Sequence, residues 1–200
     1  KRIRDNTFYY TESGMKLPYS GMTTIIEDIP YVAMHFIETE LDIDNANCGI
    51  NYIVDHCNGI IMDNSSLSIN GTFFENINVD INRSYPIQGY GIYMTDDNSS
   101  EYLIHSGFES LTAYSANLYH FKNVDIGVYT NSAASLQSKY NNMDLVGQGY
   151  LTNYTHETSI SYNLIENFKN DGISIKFPIS QVSIMHNEIS AGSATVSSGR

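Results

Sequence analysis

Residues 159–189 read SISYNLIENFKNDGISIKFPISQVSIMHNEI, and they hold the pattern Ile-x-x-Asn-x-Ile twice, at Ile160/Asn163/Ile165 and at Ile184/Asn187/Ile189. The copies lie 24 residues apart, with a Gly-Ile-x-Ile run at 172–175 between them. A strand, an Asn at a turn and a second strand, recurring at that period, is how a chain wound into a β-solenoid appears in sequence.

Working outward, Gly-led strand signals recur at Gly59, Gly91, Gly127, Gly149 and Gly172, in steps of 32, 36, 22 and 23 residues. The last two steps are single-coil lengths. The first two read as a coil plus an excursion, placed at 78–90 and at 96–101, because polar loops between strands leave a sheet and return to it. A rival account hides an irregular second coil in each long step. Companion strands sit between the glycines, at 67–69, 102–104, Leu118, Leu136 and Ile160. Bulky residues follow them in Phe73-Phe74, Phe108, Phe121, Tyr140 and Phe168. Four fit aromatic-x-Asn: Phe74/Asn76, Phe121/Asn123, Tyr140/Asn142 and Phe168/Asn170. Rings stacked coil on coil fill a narrow core. Asn tolerates the left-handed conformation and can ladder its amide with the next coil. No segment keeps a 3.6-residue apolar period with caps, so no long helix is expected.

The amino-terminal part is less regular. Ile3/Asn6/Phe8 already fits Ile-x-x-Asn-x-Φ, which suggests an excerpt from a longer protein with flanking coils. Residues 1–48 are expected as looser coils and 49–190 as regular ones, all in one segment spanning 1–200. Residues 38–44 (ETELDID) alternate strictly, so a single strand would turn Thr39, Leu41 and Ile43 inward and Glu38, Glu40, Asp42 and Asp44 outward.

The Gly-Ile-x-Ile and Ile-x-x-Asn-x-Ile units resemble the repeat of right-handed parallel β-helix proteins, the pectin-lyase-like superfamily. The resemblance covers residues 59–189 and, more loosely, 2–44. It implies an all-β, single-stranded right-handed solenoid with loop excursions. On activity it is nearly silent, because the superfamily holds polysaccharide lyases, glycosidases, phage tailspikes, adhesins and passive surface proteins. A sandwich of antiparallel hairpins is the alternative fold, with Asn58-Gly59, Asn70-Gly71 and Asp171-Gly172 as its turns.

Composition narrows the function. Twenty-two acids against ten bases give a net charge of −12, without a basic cluster. Nothing then offsets phosphate repulsion, which argues against nucleic acid and anionic membranes. No apolar run of about 18 residues exists to insert into a bilayer. Abundant Asn, Ser, Thr and Gly suit an extracellular or cell-surface setting. Cys48 and Cys57 either bridge adjacent coils or fill the core as small hydrophobes. The six histidines (35, 56, 105, 120, 156, 186) show no metal spacing, and His186 reads as a turn residue. Sequons at Asn64, Asn70, Asn82, Asn98 and Asn153 are about as many as chance supplies in such a composition.

If the Gly-led strands stack in register, two outward columns form, with rungs about 4.8 Å apart. One holds Ile61, Tyr93, Tyr129, Leu151 and Ser174, and the other Asp63, Thr95, Asn131, Asn153 and Lys176. Tyr93, Tyr129, Asn131 and Asn153 are the candidate glycan contacts, since rings pack on sugar faces and amides pair with hydroxyls. The plainer reading is that a loop or partner covers the apolar column. Glycoside hydrolysis needs paired carboxyls across the scissile bond, and these columns carry only Asp63. Polygalacturonase-like members carry Asn-Thr-Asp, Asp-Asp, Gly-His-Gly and Arg-Ile-Lys in order. This chain has Asp96-Asp97 and a loosely similar Ile175-Lys176, and lacks the rest. Pectate lyases of this fold bind Ca²⁺ through Asp beside an Arg or Lys base, and no such cluster is visible. Glu40, Asp42 and Asp44 are weak Ca²⁺ candidates, with a solvated edge as the plainer account; no other cofactor is implied. The leading expectation is a structural or adhesive module touching polysaccharide or surface glycan. The alternatives are a lyase or glycosidase completed elsewhere, and a tailspike shaft; the sequence leaves oligomeric state open.

Overall fold

The computed structural model describes residues 2–3, 7–9, 32–38, 40–43, 51–54, 56–78, 89–95, 101–105 and 119–192. Short strands β1 (Arg2–Ile3) and β2 (Thr7–Tyr9) come first, followed by six strand triplets. The first is β3 (Val32–Ile37), β4 (Glu40–Ile43) and β5 (Asn51–Val54). The second is β6 (Asn58–Asp63), β7 (Ser66–Asn70) and β8 (Thr72–Ile77). The third is β9 (Tyr90–Thr95), β10 (Glu101–His105) and β11 (Phe121–Val124). The fourth is β12 (Ile126–Asn131), β13 (Ser135–Lys139) and β14 (Asn142–Asp144). The fifth is β15 (Gln148–Asn153), β16 (Glu157–Ser161) and β17 (Leu164–Phe168). The last is β18 (Asp171–Lys176), β19 (Val182–Met185) and β20 (Glu188–Ala191).

Each triplet gives one strand to each of three parallel sheets. Sheet one orders β3-β6-β9-β12-β15-β18, sheet two β1-β4-β7-β10-β13-β16-β19, and sheet three β2-β5-β8-β11-β14-β17-β20. The chain is therefore a parallel β-solenoid, five turns separating β3 from β18. Purely parallel pairing excludes the hairpin sandwich, whose neighbours would run antiparallel. No helix occurs among the described residues.

β6 pairs directly with β9, and β9 with β12, so neither long step conceals a second coil. The first excursion lies where expected, between Ile77 and Tyr90. The second does not: only five residues separate Thr95 from Glu101, whereas fifteen separate His105 from Phe121. Its length therefore lies at 106–120, at the corner between sheets two and three, and 106–118 fall outside the described residues.

The core is the space between the three sheets. Met34, Ile60, Ile92, Val128 and Tyr150 are buried in register on sheet one, ahead of the partly buried Ile173. On sheet three the column is Ile53, Phe74, Phe121, Met143 and Ile165, with Phe74 and Phe121 stacked at 4.9 Å and 4°. That stack matches the expected inward rings. Phe73, next in sequence and so opposite in direction, stacks instead on Tyr52 and His120 at 5.3 and 4.9 Å. Tyr140 forms a corner column with Tyr162 and His186, not a core one.

At the corners the two jobs expected of one Asn are divided. Tyr140, Tyr162 and His186 adopt the left-handed conformation (φ 58°, 57° and 56°), and the following Asn141, Asn163 and Asn187 form the ladder. Asn163 Oδ1 accepts the Asn141 backbone N–H at 2.9 Å, and Asn187 Oδ1 accepts that of Asn163 at 2.9 Å. A single Asn does both at Asn76 and Asn123 (φ 57° and 53°), where the Asn123 amide donates to Asn76 Oδ1 at 2.8 Å. In the aromatic-x-Asn pairs of Tyr140 and Phe168, the left-handed residues are Tyr140 itself and Asn167.

The glycine column is real and steric. A Cβ on Gly59, Gly91, Gly127 or Gly149 would lie within 3.0 Å of the carbonyl oxygen of the next glycine in the column. Gly59 and Gly91 also face the rings of Phe74 and Phe121 at under 3.0 Å. Side chains are excluded there by close approach, since none of the four has positive φ.

The strand expected over 38–44 is interrupted. Glu38 turns the corner with φ 48°, its N–H donating to the Asp63 carbonyl at 3.0 Å, and a new strand starts at Glu40. Leu41 does point inward and is buried. The single alternating run expected is thus broken at the corner. Thr39, Asp44 and Cys48 lie outside the described residues, as do the side chains of Glu40 and Asp42.

Candidate functional site

The outer face of sheet one carries the columns expected from the sequence, rung for rung. His35, Ile61, Tyr93, Tyr129, Leu151 and Ser174 align, and beside them Ile37, Asp63, Thr95, Asn131, Asn153 and Lys176. Alternation along each strand sends these positions outward while their neighbours fill the core.

Tyr93 and Tyr129 meet at 5.2 Å between ring centroids, tilted by 38°. Tyr90 joins them, 4.9 Å from Tyr93 and 5.7 Å from Tyr129. The sequence reading missed Tyr90, because simple alternation places it with the inward Ile92. Tyr90 is the first residue of β9, directly after the excursion from sheet three, where parity is not yet imposed by a preceding strand residue. All three rings are half-buried, and their apolar neighbours Ile61 and Leu151 are buried. The expected broad apolar stripe is thus reduced to a tyrosine cluster.

The three rings pack against one another rather than standing free. Burial pushes the Tyr90 phenol up to about 12, helped by Tyr93 and Tyr129. Tyr93 is raised by burial, then by Tyr129 and Asp63, against a lowering hydrogen bond with Thr95. Tyr90 and Tyr93 therefore offer neutral hydroxyl groups at physiological pH. On the next column Asn153 Nδ2 donates to Asn131 Oδ1 at 3.0 Å, a two-rung amide ladder beside the rings. Burial lowers His35 from the ordinary imidazole value, with Asp63 opposing. Asp63 and Lys176 stand at opposite ends, and the three rungs between them carry no charge in either column.

A second constellation lies on the outer face of sheet three: Glu75, Lys122, Asp144 and Glu166 occupy consecutive rungs. Lys122 Nζ lies 3.3 Å from Glu75, and Asp144 accepts from Asn167 Nδ2 at 2.7 Å. Tyr119 is held above the ordinary phenol value by burial, then by Asp144 and Glu166. The glycine-led columns belong to sheet one, so this pair on sheet three is not visible from them. A count of the 22–23-residue offset from Asp144 would have found it.

Among the described residues no group of three or more His, Cys, Asp or Glu is arranged to hold a metal ion, and no helix is long and apolar enough to cross a membrane. His186 is the turn residue expected, stacked on Tyr162 at 4.8 Å. Comparison with family models, curated proteins and solved structures finds no match.

Proposed function

We propose that this chain is a structural and adhesive β-solenoid segment of an extracellular or cell-surface protein, contacting a glycan through the outer face of sheet one. The observation that carries this reading is the Tyr90–Tyr93–Tyr129 cluster beside the Asn131–Asn153 ladder, on rungs without charge. Phenol hydroxyls and amides match sugar hydroxyls, and the half-buried rings match the apolar patches of a pyranose. The uncharged middle rungs favour a neutral saccharide, and the acidic chain disfavours a polyuronate. The likeness of its repeat to pectin-lyase-like proteins agrees with a saccharide partner and assigns no activity.

An oligosaccharide panel read by titration calorimetry tests it. Binding should appear for neutral chains, and Tyr93→Ala or Tyr129→Ala should weaken it at least tenfold while circular dichroism stays unchanged. No binding across the panel, or binding indifferent to both substitutions, overturns the reading. One observation favours a second function, that of a glycosidase: Asp144 and Glu166 stand one rung apart, about 4.8 Å, on one face. Release of reducing ends that disappears in Asp144→Asn and Glu166→Gln would establish it in place of passive adhesion.

A further inference from the structure

The last described coil displays residues whose rung partners in the coil before it are hidden. Ile184 is 46% exposed, whereas its rung partner Ile160 is fully buried; Ile189 is 44% exposed, whereas Ile165 is fully buried. Val182 and Met185 are exposed alongside them, and among the described residues no strand pairs with the far sides of β18, β19 and β20. An open strand edge joined to apolar side chains is a pairing surface.

What fits there is specified by the five interfaces already formed between coils. Left-handed corner residues donate their N–H to the next coil: Tyr154 to the Lys176 carbonyl and Tyr162 to that of Met185, at 3.2 and 3.1 Å. Phe177 and His186 hold the same conformation (φ 50° and 56°), with no coil beyond them among the described residues. The asparagine ladder is likewise unfinished. Asn187 Oδ1 accepts the Asn163 backbone N–H and its Nδ2 donates to the Ile160 carbonyl at 2.8 Å, while its own backbone N–H has no counterpart of the Oδ1 acceptors that those of Asn141 and Asn163 meet. His186 stacks on Tyr162 through one face, leaving its other face as the end of the column.

We infer that this end of the solenoid docks one further polypeptide coil of the same repeat. The occupant carries an Asn over Asn187, a flat ring or imidazole directly before it over His186, and apolar side chains over Ile184 and Ile189. A lipid or small apolar molecule would cover the isoleucines but leave the N–H groups of Phe177, His186 and Asn187 without acceptors, and a buried donor left unpaired is costly. A coil of the repeat satisfies all of them at once. This interface is independent of the glycan face.

The test is a chain in which residues 192–200 are replaced by a second copy of residues 169–191, followed by amide hydrogen exchange. Amides of β18–β20, including Phe177, His186 and Asn187, should exchange at least tenfold more slowly than in the unextended chain. In a companion chain the copied Asn is replaced by Leu, which keeps the apolar cover and removes the ladder; protection at Asn187 should then be lost. Unchanged exchange in β18–β20, with β12–β17 still protected and the chain therefore folded, overturns the inference. Equal protection from the Leu-bearing copy overturns it too, because generic apolar cover would then suffice.

Discussion

Gly127 shows how a single atom is excluded by the winding. A Cβ there would sit 2.7 Å from the Gly149 carbonyl oxygen and 3.2 Å from Met143 Sδ. The sulfur end of Met143 can shift, but the carbonyl belongs to a rung hydrogen-bonded on both sides and cannot. Gly127→Ala should therefore destabilise the chain by about 1–3 kcal/mol, the usual cost of overpacking a dense interior. Equilibrium unfolding in urea would read this as a lower midpoint with an unchanged slope. Alanine's better intrinsic strand and helix behaviour than glycine's makes the sign informative. An open position would gain from the substitution, and a blocked one loses.

The corner ladder is the element in which sequence and structure can be compared most closely. Ile160, Asn163 and Ile165 were recognisable as strand, turn and strand because spacing is a property of the sequence. Which residue takes the strained backbone was not, since that depends on the neighbouring coil. Asn163 is fully buried: its amide donates to the Ser161 carbonyl and to Asn187 Oδ1, and its Oδ1 accepts from Asn141 N–H and the Tyr150 hydroxyl. That network holds Asn163 inside and passes the left-handed turn to Tyr162, which gains a stacking partner on each side, Tyr140 and His186. Asn163→Leu should cost about 3 kcal/mol or more, because the Tyr150 hydroxyl and Asn141 N–H lose their acceptor in the interior. Tyr150→Phe removes only a donor and an acceptor shared with Ser138 and Asn163, at about 1 kcal/mol. Chemical denaturation of the two variants should rank them in that order. Tyr90 was illegible for a related reason: alternation predicts direction within a strand and fails at the bend that begins it.

At the scale of the whole molecule, the registers recovered from glycine spacing alone placed Tyr93 against Tyr129 and Asn131 against Asn153 without error. The acid pair Asp144/Glu166 required the third sheet, whose strands announce themselves with mixed apolar residues and no glycine. The position of the second excursion was also misread, because a run of Asp, Asn and Ser looks like a long loop whether it has to span a long gap or a short one. Steps of 22 and of 36 residues nevertheless close onto the same ladder. Lengthening the segment between β8 and β9 by about ten Gly and Ser residues should therefore cost under about 1 kcal/mol, since closure entropy grows only logarithmically with length. One residue inserted within β12 should abolish cooperative unfolding, because it turns core side chains out to solvent. Thermal melts of the two insertions would show the contrast directly.

The buried glycine column carries one more consequence. Where the backbone of each coil rests on that of the next with no side chain between them, the corner has almost no room to compress or to slide. The excursions between β8 and β9 and between β10 and β11 can lengthen, shorten or exchange cargo over evolutionary time, while this seam serves as the spine that keeps each graft at the same height. A chain built in this way can acquire new surface chemistry one loop at a time without renegotiating its shape.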